Sequence, residues 1–334
     1  MGKYDAIMIS VLAGGVGAAR FLSGLVRIVD PRSVTAIVNT ADDTVLHGLN
    51  ISPDIDTVTY TLANAIDPER GWGLRDETWR AMQSLSRFET VRPIASTAAP
   101  TWFNLGDADL ATHFYRTSRL QEGATLTQVT DEIRRAFDLQ VKIIPMSDDT
   151  VSTEVTVANC DSVVSGQTIS FQEYFVRYRH SVPVQSVHFR GAQTAVFSAL
   201  SELQTSDVIV IAPSNPIVSI GPLRALAGVD VALSARRESV VAISPIIAGA
   251  ALKGPADRML VELGHEASVV GVARLYCDIC ATLVIDTADQ DRVSEIEATG
   301  MRCVVTNTVM SDTAIADNLA RVTIESVTTR KELK

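Results

Sequence analysis

The stretch AIMISVLAGGVGAAR, from Ala6 to Arg20, decides the fold. Ala6 to Leu12 is a short apolar run of the kind expected for a strand buried on both faces. Gly14-Gly15-Val16-Gly17 follows directly, and Ala18 to Val29 carries a helix-forming pattern. A strand that turns through glycines into a helix is the opening unit of a parallel α/β sheet. Gly14, Gly15 and Gly17 let backbone approach a phosphate, and the helix start supplies N–H donors and the positive end of a dipole. No Gly-Lys-Ser/Thr follows, so the loop is not a Walker A sequence. A tight turn that binds nothing would use the same residues. Placement in the first strand–helix unit favours ligand contact.

Outward from this unit, similar runs recur at Val34 to Val38, Val141 to Ile144, Val208 to Ala212, Val240 to Ile243, Ala281 to Ile285 and Cys303 to Thr306. Helix-forming stretches lie between many of them: Asp76 to Arg87, Leu126 to Phe137, Ala192 to Glu202 and Asp312 to Ile324. This alternation predicts a doubly wound, mainly parallel, Rossmann-like α/β sheet covered on both faces. Between Asp149 and Phe189, Thr153 to Val157 and Thr168 to Val176 alternate like antiparallel strands, which predicts a β-rich insertion. No linker or fixed-period repeat divides the chain, so residues 1–334 are expected to form a single α/β domain with the insertion at 149–189. Lys331 to Lys334 is expected to fray.

The 334 residues are 46% hydrophobic, which excludes a disordered chain, and 5% aromatic, which suits a sheet packed on Val, Ile, Leu and Ala. The net charge of -10 argues against general nucleic-acid binding, which wants a basic face. The longest stretch free of charged residues, Val208 to Leu223, contains Pro213, Pro216 and Pro222 and is not a membrane span. Lys3 and Asp5 near the start do not fit a signal peptide. Four cysteines are too few for a disulfide framework, and a reducing cytoplasm is expected. Cys277 and Cys280 are spaced like half a zinc site, but no second pair exists, so a buried helix face is the expected setting.

Carboxylates carry the clearest chemistry. Asn39-Thr40-Ala41-Asp42-Asp43 closes the second strand, where parallel sheets place ligands. Ser52-Pro53-Asp54-Ile55-Asp56-Thr57 adds two more acids, and i, i+2 spacing sets both on one side of an extended segment. Asp42, Asp43, Asp54 and Asp56 together resemble oxygen ligands for a hard cation such as Mg2+ shared with phosphate. Helix capping is the competing use of each acid taken singly. Trp102-Phe103-Asn104-Leu105-Gly106-Asp107, with Asp109 and His113 beyond, sets aromatics beside polar groups. Ala212-Pro213-Ser214-Asn215-Pro216 forms a rigid polar loop after the strongest strand pattern, suited to a base edge or a phosphate. Ser244-Pro245-Ile246-Ile247 follows another buried strand, and Lys253 beyond it is a candidate to neutralise phosphate.

As a set, and in this order, these elements resemble the 2-phospho-L-lactate transferase family, also known as CofD or FbiA. Met146-Ser147-Asp148-Asp149 and Phe171-Gln172-Glu173-Tyr174-Phe175 complete the match, which covers nearly the whole chain. The resemblance implies a Mg2+-dependent transferase of coenzyme F-420 biosynthesis, usually a homodimer. It would join a phosphorylated three-carbon acid (2-phospho-L-lactate, phosphoenolpyruvate or phosphoglycerate) from its GMP-activated diphosphate to the ribityl hydroxyl of the deazaflavin Fo, releasing GMP.

Carried over by motif, Asp42, Asp43, Asp54 and Asp56 would surround the metal and Fo, with Asp54 and Asp56 as candidate catalytic residues. Asn104 falls where other members can carry a basic residue near Fo. Ser214 and Asn215 would hold the guanine nucleotide. The rival is a non-enzymatic nucleotide-binding regulator of the gluconeogenesis-factor type on the same fold. That family shares a glycine loop and Ala-Asp-Asp. It is not expected to carry Ser-Pro-Asp-Ile-Asp-Thr or Asn-Leu-Gly-Asp.

Overall fold

The computed structural model describes residues 7–331, so Ala6 and the predicted fraying of residues 332–334 lie outside the described residues. The chain opens with β1 (Ile9–Ala13), α1 (Val16–Ile28) and β2 (Val34–Val38). A small antiparallel hairpin, β3 (Thr44–Leu46) and β4 (Leu49–Ile51), leads into α2 (Pro53–Leu62). Next come α3 (Arg80–Leu85), α4 (Asp109–Gln121), α5 (Leu126–Ala136) and β5 (Lys142–Pro145). Strands β6 (Ser152–Val157), β7 (Thr168–Ser170) and β8 (Val184–Arg190) form a separate antiparallel sheet in the order β7-β6-β8. The second half adds α6 (Leu200–Thr205), β9 (Val208–Ile211), α7 (Gly221–Ala225), α8 (Val229–Ala235) and β10 (Val240–Ile243). After the short pair β11 (Ile246–Ile247) and β12 (Ala250–Ala251) come α9 (Ala256–Glu262), α10 (Val269–Tyr276) and β13 (Thr282–Ile285). The chain then ends on α11 (Val293–Glu297), β14 (Arg302–Val305) and α12 (Thr313–Lys331).

Seven strands form one parallel sheet in the order β14-β13-β10-β9-β1-β2-β5. The order runs outward from β1 in one direction and outward from β9 in the other, so the topological switch lies between them. Both faces are buried, as the residue alternation shows. Val208 and Val210 join one core cluster with Val11 and Ala36, while Ile209 and Ile211 join the other with Leu12 and Ile37. Helix α1 packs tightly on α12, where a side chain at Gly24 would lie 2.5 Å from the Ala316 carbonyl oxygen.

Some predicted elements moved, each for a local reason. Ala192 to Glu202 is helical only from Leu200. The segment before it keeps irregular backbone because Val196 N–H donates to Asp149 and Ser198 N–H to the Met146 carbonyl. The predicted strand Thr168 to Val176 stops at Ser170, since Phe171, Tyr174 and Phe175 are spaced for a helical turn over Glu173–Arg177. The helix predicted over Asp76 to Arg87 begins at Arg80, where Asp107 accepts from the Arg80 and Ala81 N–H groups. No helix among the described residues is long and apolar enough to cross a membrane.

Candidate active site

A cavity of about 750 Å3 opens at the carboxyl ends of the parallel strands, at the switch point between β1 and β9. Open α/β sheets bind ligands there, because loops diverge and helix N-termini converge at that point. Gly15 and Gly17 line it at the start of α1; Pro213, Ser214 and Asn215 line it after β9. The two loops touch. Gly14 N–H donates to Ser214 Oγ over 3.3 Å, although Gly14 itself lies behind the cavity wall. A Cβ on Gly17 would stand 2.1 Å from the Pro213 carbonyl oxygen, a backbone atom that cannot step aside. Gly17→Ala is therefore expected to cost about 1–3 kcal/mol of stability by overpacking, read by equilibrium denaturation. A cost below about 0.5 kcal/mol would show that the two loops are not packed this way.

The acidic wall comes from β2 and α2. Asn39 sits at the end of β2, and its Nδ2 donates to Asp42 Oδ2 and to Asp54 Oδ2, each at 3.0 Å. One amide thus gathers two carboxylates. The other Asp42 oxygen, Oδ1, is buried and makes no hydrogen bond of ordinary geometry, with the Thr153 hydroxyl, itself unpaired, near the carboxylate. Asp54 faces the glycine loop: a Cβ on Gly15 would lie 2.7 Å from its Oδ1. Burial, with the Asp54 charge beside it, pushes the Asp42 carboxyl well above the usual carboxylate range. Burial lifts Asp54 to about 6. Two crowded acids with an unsatisfied buried oxygen are the donor set that a hard divalent cation satisfies. From the insertion, Gln172 Nε2 donates to the Asp42 carbonyl at 3.0 Å and braces the wall.

The four acids predicted as one cluster are not equivalent. Asp43 does not line this cavity; it lines a second one of about 540 Å3 on the far side of Asp42. Ser52 Oγ donates to Asp43 Oδ2 at 2.6 Å, and burial pushes its carboxyl well up too. Asp54 and Asp56 lie in the first turn of α2, not on an extended segment. At about 100° per residue, i and i+2 point to opposite sides of a helix. Asp54 accordingly meets Asn39, whereas Asp56 meets Arg116. The Arg116 guanidinium, fully buried, donates to both Asp56 oxygens.

Around Asp56 a polar cluster from α2 and α4 lines the cavity. Arg116 Nη1 lies 3.3 Å from His113 Nδ1, and His113 Nε2 lies 3.2 Å from Asp109 Oδ2. Tyr60 OH donates to Asp109 Oδ1 at 2.5 Å. Burial raises the Asp109 carboxyl, but the His113 hydrogen bond and charge outweigh it and hold the group below its ordinary value. Among the described residues, Asp56, Asp109 and His113 have ligand atoms within 4.8 Å of one another. Arg116 already occupies both Asp56 oxygens, so the Asp42–Asp54 pair suits a cation better.

Aromatic rings supply the apolar walls. Trp102 and Phe103 meet edge-on at 5.9 Å beside exposed Asn104, and Phe171 stacks on Phe175 at 5.5 Å. Ser214 and Asn215 line the cavity, but Asn215 spends its amide oxygen on Ile217 N–H (2.9 Å) and Val218 N–H (3.4 Å). It shapes its own loop. Ser244 likewise turns its hydroxyl back to Ile246. Cys277 and Cys280 are free thiols, the second buried beside β10. The residues that sequence reasoning missed are Asn39 as the organiser and Arg116 as the counter-charge; Asn39 stood inside a quoted motif.

The chain is also similar to known proteins. Phosphoenolpyruvate transferase of Kitasatospora aureofaciens is 39% identical over 323 residues, covering 95% of this chain and 96% of that protein. The Mycobacterium tuberculosis phosphoenolpyruvate transferase is 41% identical over 294 residues, covering 83% of this chain and 86% of that one. Among solved structures, a member of the UPF0052 family from Bacillus halodurans superposes with a TM-score of 0.59 at 15% identity. It covers 97% of this chain and 100% of its own, and it shares the fold. The family described as 2-phospho-L-lactate transferase CofD matches residues 9–327. The chain belongs to that family of transferases.

Proposed function

We propose that this protein transfers a phosphorylated three-carbon acid from its GMP-activated diphosphate to the ribityl hydroxyl of Fo, releasing GMP. The observation that carries the reading is Asp42 Oδ1, a buried oxygen that makes no hydrogen bond of ordinary geometry, beside Asp54 on a switch-point cavity. The names of the 39–41% identical relatives favour phosphoenolpyruvate as the acid. The hydroxyl oxygen of Fo forms the new bond to the phosphorus that bears the acid. The bond from that phosphorus to the oxygen of GMP breaks, and GMP leaves with the electron pair.

Phosphoryl transfer of this kind asks the protein mainly for positioning and charge neutralisation. Asp42 and Asp54 would hold Mg2+, which offsets charge on the diphosphate. The α1 N-terminus, with Gly15 and Gly17, turns backbone N–H donors toward the phosphates. Asp56, oriented by Arg116, accepts the hydroxyl proton at Oδ2. Trp102 and Phe103 offer a face to the deazaflavin ring, with Asn104 at its edge. Ser214 ties the nucleotide loop to the glycine loop.

The test is direct. Purified protein is incubated with Fo, Mg2+ and the guanylyl-activated form of each acid in turn, and the phosphodiester is sought by mass. Product is expected with the phosphoenolpyruvate donor and none after chelation of Mg2+. Nucleotide binding without product from any donor would favour a non-enzymatic regulator instead.

A further inference from the structure

The cavity wall carries cations that the acidic wall does not use. Arg70 is already engaged: its guanidinium pairs with Asp67 Oδ2 at 3.0 Å and lies over the rings of Trp72 and Trp79, at 5.5 and 5.1 Å. Arg20 and Lys253 also line the cavity, and among the described residues neither has an ion-pair or hydrogen-bond partner. Arg20 stands exposed on the first turns of α1. Lys253, on the loop from β12 to α9, reaches back over the same helix start. A Cβ at Gly71 would lie 3.2 Å from Lys253 Nζ and 3.8 Å from Val16 Cγ1, so the ammonium stands close to the first residue of α1.

An ammonium thus stands by Val16 at the start of α1, in the same cavity that Asp42 and Asp54 line, while Gly15 of the glycine loop lies against Asp54. The activated donor carries about the same total charge as GDP, since esterifying the second phosphate removes one ionisable oxygen and the acid adds a carboxylate; what differs is where that charge sits, further out on the acid. Helix start and divalent cation meet the phosphates, which leaves that carboxylate to be met by a fixed positive group. We infer that Lys253 binds the carboxylate of the three-carbon acid and selects the loaded donor over the bare guanine nucleotide, with Arg20 as the second cation at the rim. This inference rests on the proposed function and names the residue that reads its donor.

Calorimetric titration in Mg2+, with Fo left out so that nothing turns over, separates the two. Guanylyl phosphoenolpyruvate and GDP are titrated into wild-type protein, Lys253→Gln and Lys253→Arg. Lys253→Gln is expected to weaken the donor by about tenfold to a hundredfold, the scale of one charge-assisted contact. GDP is expected to change less than about twofold, and Lys253→Arg should recover most of the donor affinity. Equal loss for donor and GDP would assign Lys253 to the diphosphate and overturn the inference. No loss for either, or a wild type that does not prefer donor to GDP, would overturn it as well. Failure of the proposed function shows separately, as absence of product when Fo is added to the wild type.

Discussion

Asp54→Asn abolishes transfer, with kcat lower by about a thousandfold or more, while the protein melts at the same or a higher temperature. The activity loss follows because Asp54 is half of the pair that Asn39 gathers around Asp42 Oδ1. The stability follows from the same crowding. Asp54 has its folded-state carboxyl pushed up to about 6, above the ordinary carboxylate range, because burial disfavours its charge. A carboxyl raised on folding contributes its full stability below about pH 4 and loses it as pH rises through about 6. In metal-free wild-type protein this group alone therefore withdraws on the order of 1–3 kcal/mol by pH 7.5. Asparagine carries no charge to desolvate and can still accept from Asn39, so the variant's melting temperature should fall less between pH 5 and pH 7.5. Thermal melts in a chelator at the two pH values check this. Near wild-type turnover in Asp54→Asn, or an equal fall of both melting temperatures, would break the assignment.

Arg116→Met destabilises the protein by about 3–5 kcal/mol, the cost of leaving a buried partner charge uncompensated. Arg116 is fully buried and donates to both oxygens of Asp56, which is itself 5% exposed. Methionine fills much of the volume but strands the Asp56 carboxylate beside Asp109. Asp56→Asn strands the guanidinium instead and should cost a similar amount, whereas the double variant recovers part of the loss. Urea denaturation of the three variants measures the coupling. A cost below about 1 kcal/mol for Arg116→Met would mean that the ion pair does not hold α4 to α2. The contrast matters for function, since two aspartates at i and i+2 separate into one that an arginine holds in place and one that burial strains.

The parallel sheet was legible because all seven of its strands are short β-branched runs, and Val34 to Val38 and Val240 to Ile243 fall where the sequence places them. Helix α4 was not legible. Its inward face is Thr112, His113, Arg116 and Thr117, so apolar periodicity does not reveal it, and Arg116 went unnoticed with it. The acidic motifs marked the right neighbourhood but not its division. That division depends on α2 starting at Pro53, which turns Asp54 and Asp56 to opposite sides. Asn215 looked free to read a base, yet its oxygen caps its own turn, a local use that residue type alone cannot separate from binding.

If Asp42 and Asp54 hold the metal beside the glycine loop, the ion can be seen there. Crystals grown with Mn2+ in place of Mg2+ and a guanine nucleotide, measured at the manganese edge, locate the ion directly. An anomalous peak is expected within coordination distance of Asp42 and Asp54, next to the phosphates at the start of α1. A peak between Asp56, Asp109 and His113, or none on the Asp42–Asp54 wall with nucleotide bound, would contradict this placement.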